Sequence, residues 1–427
     1  MFALRRSTTR CVALLQVAAA LSRGRRRRPS GPRLPPKVLR RPDGGVPAVA
    51  RCHPELYDEL LKEKVAKLEA SLRSATSYAP LPSIEVHESQ REHFRMRAAF
   101  QVWHVGDEPD CSRHLVMYEH GNRDPHEIDR FPMGSRKINE LMPIVREAIQ
   151  PAVLGRKIID VRFLTTQTGD SLIALAYNRD LKGCKEFTTE EWEQAAQDLH
   201  QKTGATIVGR SRKFKVVVGS EDDTVTEVLK VHGNELTYAQ QEGAFTQPNA
   251  GVCEKMLMWA HDATLNSEGD LCELYCGGGT FTVALAPNFD QVIATELSKA
   301  SVALAERNLA TNSINNVRVA RVPAEEVAGA LKTGTTPRRL QNLDVDLSQM
   351  GRGSLFVDPP RAGLDETCSQ IAAGFDRIIY VSCNPETLAR DVRLLAPTHS
   401  IKRVAAFDQF PYTDHLESGV VLERRTA

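Results

Sequence analysis

From Gly243 onward, short apolar runs of strand length alternate with stretches of helical periodicity, a pattern few architectures accept. The apolar runs are Asp270–Tyr275, Gln291–Glu296, Ser354–Asp358, Arg377–Ser382 and Gly419–Leu422. Strands that are apolar throughout are buried on both faces, which requires helices above and below a mostly parallel sheet. Residues 243–427 are therefore predicted to form a doubly wound, Rossmann-like α/β domain. Its ligands would sit at the carboxyl ends of the strands.

Upstream the pattern differs. A helix is predicted from about Pro54, with Leu56, Leu60, Leu61, Val65, Leu68 and Leu72 at helical spacing. Alternating or apolar runs such as Arg97–His104, Ser171–Tyr177 and Phe214–Val218 read as strands. Residues 53–240 are accordingly expected to form a separate mixed α+β region. Residues 333–353, rich in Thr, Gly and Arg, read as a loop before the strand ending at Asp358.

Residues 1–42 carry twelve Lys and Arg and no acid, so the net +1 of the chain becomes −11 for the remainder. With its Ala, Ser and Pro content, the segment 1–45 reads as an organellar transit peptide, mitochondrial in the first instance. A plastid address, a secretory segment and a basic RNA-binding arm in a cytoplasmic protein are the other readings. An acidic body means that any nucleic-acid binding must come from local basic surface. No stretch approaches the roughly 18 apolar residues of a membrane span. The nine cysteines are scattered, with no pair of C-x-x-C motifs. No disulfide framework, metal or iron–sulfur cluster is expected, and a reducing compartment fits.

Three stretches carry chemistry. Glu273-Leu-Tyr-Cys-Gly-Gly-Gly-Thr-Phe281 is a strand end, a glycine turn and a helix start, and it is not the G-x-G-x-x-G of nicotinamide sites. About twenty residues later the strand Val292–Glu296 ends in an acid able to accept two ribose hydroxyls. Gly277 and Glu296 are thus candidates to hold an adenosine-containing cofactor. Next, Leu355-Phe-Val-Asp-Pro-Pro-Arg361 sets Asp358 and a stiff Pro-Pro at a strand end. Arg361 stands where an adenine-N6 enzyme would place an aromatic. Third, Ile378–Ser382 delivers Cys383 to the same edge, followed by Asn384-Pro-Glu and a helix through Val392. A cysteine beside a helix N-terminus tends toward a lowered pKa, so Cys383 is the candidate nucleophile. Glu417, just before the last strand, is the candidate base, with His415 as the alternative.

This set suits C5 of a uridine. That carbon is too weak a nucleophile to attack a methyl sulfonium unaided. A thiolate adding at C6 makes the ring an enolate with carbanion character at C5. A base must then remove the C5 proton. The target must also leave its helix, which points to a flipped or loop nucleotide. Cytosine-C5 RNA enzymes place a second cysteine beside the Asp-Pro-Pro equivalent; here the nearest, Cys368, lies on the following helix.

With these motifs the chain resembles the tRNA (uracil-5-)-methyltransferase family of the bacterial type, which acts on uridine 54 of the T-loop. The resemblance rests on Phe245-Thr-Gln-Pro-Asn249, Glu273–Phe281, Ala294-Thr-Glu296, Phe356–Arg361, Ser382-Cys-Asn-Pro-Glu386 and Phe407-Asp-Gln-Phe-Pro-Tyr412. It extends upstream through Phe94-Arg-Met-Arg97 and Phe163-Leu-Thr-Thr166. It implies Cys383 as nucleophile and Glu417 as proton acceptor. It also implies S-adenosyl-L-methionine as cofactor, held by Gln247, Tyr275, Glu296 and Asp358. The implied architecture is a methyltransferase domain with an N-terminal RNA-binding domain, and the implied partner is tRNA. A monomer is expected. A ribosomal-RNA uridine methyltransferase and a catalytically silent tRNA-binding protein are the alternatives. Arg95, Arg97, Arg210, Arg212 and Lys213 are the candidate RNA contacts. One departure stands out: the family usually has Asn at the positions of Gly278 and Thr280.

Overall fold

A computed structural model describes residues 46–425 except 78, 109, 119–124, 179–180, 182–187, 213, 266, 268 and 334–352. The leader expected over 1–45, and all but the ends of the 333–353 loop, lie outside the described residues.

Helix α1 (Tyr57–Ala75) and strand β1 (Ile84–His87) come first. The next strands are β2 (Arg97–Val105), β3 (Ser112–Tyr118), β4 (Pro125–Glu127), β5 (Ile158–Thr165), β6 (Ser171–Tyr177), β7 (Thr206–Ser211) and β8 (Phe214–Val218). They form one sheet in the order β4-β3-β2-β5-β6-β7-β8. Helices α2 (Arg136–Ala148), α3 (Ala152–Gly155) and α4 (Thr189–Thr203) share its core. A hairpin follows, β9 (Thr224–Val231) with β10 (Asn234–Gln241).

The second sheet belongs to the C-terminal half. Its chain order is α5 (Ala250–Thr264), β11 (Leu271–Leu274), α6 (Thr280–Leu285), β12 (Val292–Glu296), α7 (Lys299–Thr311), β13 (Val317–Arg321) and α8 (Ala324–Thr333). Then come β14 (Ser354–Val357), α9 (Glu366–Ala372), β15 (Arg377–Ser382), α10 (Pro385–Leu395), β16 (His399–Phe407) and β17 (Glu417–Arg424). The strand order is β1-β16-β17-β15-β14-β11-β12-β13. Only β17 runs antiparallel to its neighbours. The order reverses at β11, so a crevice opens at the carboxyl ends of β11 and β14. Apolar cores cover both faces of this sheet, as the continuously apolar strands required.

One boundary differs from the sequence reading. α1 and β1, expected in the 53–240 region, join the C-terminal sheet: β1 pairs in parallel with β16, from Ile84↔Val404 to His87↔Phe407. Leu61, Leu68 and Leu72 of α1 share a core with Leu388, Val392 and Leu395 of α10. Helical periodicity reveals that a face is buried but not what buries it. Lys64 lies in that same stripe, 4% exposed, and donates to Asp408 (2.5 Å), the Phe410 carbonyl (3.1 Å) and the His415 carbonyl (3.2 Å). A buried ammonium is tolerable only when its donors are satisfied, and here all three bonds go to the loop that leads into β17. Among the described residues no helix is long and apolar enough to cross a membrane.

Candidate active site

Antiparallel pairing sets the central geometry. Ser382 of β15 is opposite Ser418 of β17. The ladder ends at this pair; Cys383 follows Ser382 and Glu417 precedes Ser418, so the register carries the thiol and the carboxyl to the same edge. β14 runs alongside β15 with Val357 opposite Tyr380, which brings Asp358 to the same edge. Arg361 completes the group: its carbonyl accepts from the Asn384 amide and the Thr387 hydroxyl, both at 3.2 Å, latching the Pro-Pro loop to the loop that carries Cys383.

The electrostatics reverse one expectation. Cys383 was expected to have a lowered pKa, yet its thiol is pushed up to about 12, first by burial and then by Glu417 and Asp358; Arg361 opposes the shift. The helix effect is weak because α10 starts at Pro385 with Asn384 as its cap, so Cys383 lies outside the first turn. Glu417, 4% exposed, is held well above the usual carboxylate range by burial and then by Asp358. Asp358 keeps a little surface in the crevice, yet burial pushes it up to about 7. Two carboxyls facing each other in low dielectric resist ionising together. In the ligand-free protein Cys383 is thus held toward the thiol and Glu417 toward the neutral acid. Iodoacetamide is expected to label Cys383 at pH 8 at least ~10-fold more slowly than an unstructured cysteine, with a rate that climbs at higher pH. Peptide mass spectrometry over pH 7–10 checks this; fast labelling at pH 7 would show that the thiolate is already present.

His415 is a poor base in this arrangement. Its Nδ1 accepts from the Arg361 guanidinium at 2.7 Å, so the basic lone pair is occupied. Burial and then Arg361 lower its pKa.

The glycine turn lies at the end of β11. Gly277 and Gly279 have φ of +56° and +80°, and Gly279 precedes α6. Glu296 ends β12 and accepts from the backbone N–H groups of Gly277 (3.1 Å), Leu297 (2.8 Å) and Ser298 (2.7 Å). Tyr275, also at positive φ, donates to Cys368 Sγ at 3.5 Å. A pocket beside the turn is lined by Gln247, Thr280, Gly278, Asn308, Tyr238 and Phe245. The Gln247 Oε1 in it is buried with no hydrogen-bond partner. At Gly278 a Cβ would stand 3.0 Å from Leu304, so Leu304 fills the space an asparagine would claim.

No local pattern foretold how the β9–β10 hairpin is held over this turn. Asn308 on α7 and Asn312, which caps that helix, lie one turn apart, with amides that act as peptide groups toward β10. Asn312 accepts from Thr237 N–H (2.9 Å) and donates to its carbonyl (2.7 Å). Asn308 accepts from Ala239 N–H (2.8 Å) and donates to the Gly278 carbonyl (2.9 Å). Tyr238 adds a bond to the Thr280 carbonyl at 3.0 Å. Replacing Asn308 by Ala leaves at least two buried peptide groups unpaired, so a stability loss of about 2–4 kcal/mol is expected from urea unfolding. A loss below ~0.5 kcal/mol would mean that solvent replaces the clamp.

The upstream motifs converge on residues 245–249. Met96 N–H donates to the Pro248 carbonyl (2.7 Å), and Thr165 N–H to the Met96 carbonyl (2.8 Å). Gln409 accepts from Asn249 N–H at 3.1 Å. Phe245 is 72% exposed beside the pocket, an unusual position for a phenylalanine, which its place in a Thr/Gln/Pro loop did not reveal. Of the basic candidates, Arg97 is turned inward, 3.3 Å from the Thr246 hydroxyl. Arg95 is largely buried and donates to the Arg97 carbonyl (3.0 Å); burial lowers its pKa to about 10, and no carboxylate among the described residues pairs with it. Arg210 pairs with Glu242 at 2.7 Å, which ties it into the fold. Arg212 is exposed at the β7–β8 turn, and Lys213 lies outside the described residues.

Comparison with known proteins agrees with this geometry. The tRNA (Uracil-5-)-methyltransferase family model matches residues 56–425. A tRNA/tmRNA (uracil-C(5))-methyltransferase of Vibrio cholerae is 44% identical over 379 residues, covering 87% of this chain and 98% of the relative. A protein of the same description from Pseudomonas paraeruginosa is 48% identical over 374 residues, with the same coverage. Among solved structures, the Pyrococcus abyssi tRNA (uracil-54, C5)-methyltransferase in complex with S-adenosyl-L-homocysteine aligns over 86% of this chain and 83% of its own. Its TM-score is 0.63 at 19% identity, a likeness of fold.

Proposed function

The chain belongs to the tRNA (uracil-5-)-methyltransferase family, and from that premise we propose that it methylates C5 of uridine 54 in the tRNA T-loop through a covalent Cys383 adduct. The observation that carries this reading is the convergence of Cys383, Glu417 and Asp358 at one sheet edge, where both acids act on the thiol, beside the glycine turn.

The cofactor of the family is S-adenosylmethionine, which supplies a methyl group on a cationic sulfonium. The residues present fit it. Glu296 has the position of a ribose-binding acid. The unpartnered Gln247 Oε1 offers an acceptor in the pocket. Burial shifts Asp358 and Glu417 toward their neutral forms, and a nearby positive charge would favour the ionised ones. Tyr275, Gly277 and Thr280 complete the proposed cofactor contacts.

The protein's own groups then divide the work. Cys383 first loses its thiol proton to solvent; the thiolate Sγ then bonds to C6 of the uracil as the C5–C6 π pair moves onto the C4 carbonyl to give an enolate. After C5 is methylated, the Glu417 carboxylate takes the C5 proton. Those electrons reform the C5–C6 double bond as the carbon–sulfur bond breaks, which returns Cys383 as a thiolate. Arg361, facing both groups, lowers the energy of their anionic forms. The exposed Phe245 ring suits stacking on an unpaired base. Arg95, buried without a carboxylate, suits an RNA phosphate or carbonyl. Arg97 and Arg210 hold structure beside these contacts, and Arg212 faces outward. The Arg-rich composition of residues 1–42 supports mitochondrial targeting, testable by imaging a fluorescent fusion of the segment.

The test is in vitro methylation of an unmodified tRNA transcript with S-adenosylmethionine, followed by mapping of the product. 5-Methyluridine at position 54 is expected, lost when that uridine is changed to cytidine. Methylation of ribosomal RNA but not of the transcript would overturn the substrate.

A further inference from the structure

Far from the crevice, the β2–β3 turn gathers three metal-binding side chains of different types. His104 lies on β2, Glu108 in the turn, and Cys111 just before β3. One ligand atom from each lies within 4.8 Å of the other two. We propose that His104 Nδ1, Glu108 Oε1 and Cys111 Sγ bind a zinc ion that pins this turn, with the fourth position taken by water.

The argument starts with the imidazole. His104 Nε2 faces the Ile158 carbonyl at 2.8 Å, and a carbonyl only accepts. Nε2 therefore carries the proton, and the lone pair is on Nδ1. That lone pair faces Cys111 Sγ at 3.6 Å and Glu108 Oε1 at 3.3 Å. A tetrahedral zinc with bonds of about 2.3 Å to sulfur and about 2.1 Å to nitrogen and oxygen sets ligands about 3.6 Å (S to N) and about 3.4 Å (N to O) apart. The two observed separations thus match two edges of the tetrahedron.

The surroundings are those of an oriented site. A ligating histidine commonly donates its other N–H to a carbonyl, and a ligating carboxylate is itself hydrogen-bonded. Glu108 presents Oε2 to Arg113 at 2.7 Å, which leaves Oε1 toward His104 apart from a 3.5 Å approach by Lys157 N–H. Arg113 Nη1 also donates to the Cys111 carbonyl at 3.2 Å, fixing the backbone at the thiol. Gly106, at φ +97°, turns the chain toward Cys111, whose α-carbon lies 3.5 Å from where a Cβ at Gly106 would stand. A thiolate, a carboxylate and a neutral imidazole bring two negative charges, which a divalent ion balances; Arg113 makes the assembly net positive by one. The absence of paired C-x-x-C motifs did not anticipate this, because His-x3-Glu-x2-Cys is no cysteine-rich signature and the three atoms meet only once the hairpin turns.

The test uses the full chain purified with zinc sulfate and then passed through gel filtration. Elemental mass spectrometry is expected to find close to one zinc per chain, falling at least tenfold in C111S and in H104Q. Cobalt in place of zinc should give a thiolate-to-metal charge-transfer band. The C111S arm is needed to assign that band, since the chain has nine cysteines. H104Q retains the thiol and covers the case in which C111S fails to fold. Methyltransferase activity of the folded variants should match the parent. Failure to retain zinc, or a cobalt band unchanged in C111S, overturns the site.

Discussion

Cys383→Ala is expected to bind tRNA and S-adenosylmethionine while losing 5-methyluridine formation by at least ~10⁴-fold, equivalent to about 5.5 kcal/mol of transition-state stabilisation. No other described cysteine can substitute. Cys253, Cys272 and Cys276 are buried around the same crevice, and Cys368 is turned to Tyr275. The fold should survive the change, because Cys383 is only half-buried and no hydrogen bond of the sheet uses its sulfur. Release of tritium from C5-labelled uridine in the transcript is the more incisive readout, since C5–H exchange needs the C6 adduct and does not need methyl transfer. Retained release by Cys383→Ala would exclude the covalent route. The raised thiol pKa adds a pH signature. With the reactive thiolate scarce at neutral pH, single-turnover rates in the parent should rise with pH above 7.

Much of this site was legible in the sequence, for a definite reason. In a doubly wound sheet, residues that end apolar runs arrive at one edge, so Glu296, Asp358 and Cys383 could be placed together without knowing the strand order. Glu417 was legible through its position before the last strand, although the antiparallel register that carries it to the edge of Cys383 was not. What sequence could not supply was the state of the groups. The thiol was read from its nearest helix, a local feature, whereas its pKa is set by burial and by two acids from other strands. Arg210 was read as a candidate RNA contact, yet it pairs with Glu242 across the fold. The helical spacing of α1 did not single out Lys64. That lysine is the buried anchor of the 408–415 loop, and that anchor exists only because α1 packs on the C-terminal sheet. Local pattern conveys periodicity and position along a strand; partners distant in the chain are set by tertiary packing.

Glu417→Gln should separate the two halves of the reaction. The amide has nearly the shape of the acid but cannot accept the C5 proton, so addition and methyl transfer proceed while elimination stops. Denaturing gels of variant, transcript and S-adenosylmethionine should show a slow-migrating protein–RNA band, absent from the double variant with Cys383→Ala. With product release blocked, turnover should fall by at least ~10³-fold, or ~4 kcal/mol. If no such band forms while turnover is lost, Glu417 acts before the adduct rather than after it. Stability offers an independent check on the same carboxyl. Its folded pKa is raised, so its contribution to stability is fully present below the unfolded value of about 4.3 and is lost as pH rises through the folded value. Glutamine does not titrate. The variant should therefore match the parent near pH 4 and exceed it increasingly toward pH 9, measured as urea midpoints. A variant less stable than the parent at pH 9 would show that Glu417 is ionised and satisfied in the resting protein. Its role as proton acceptor would then need no ligand-induced ionisation.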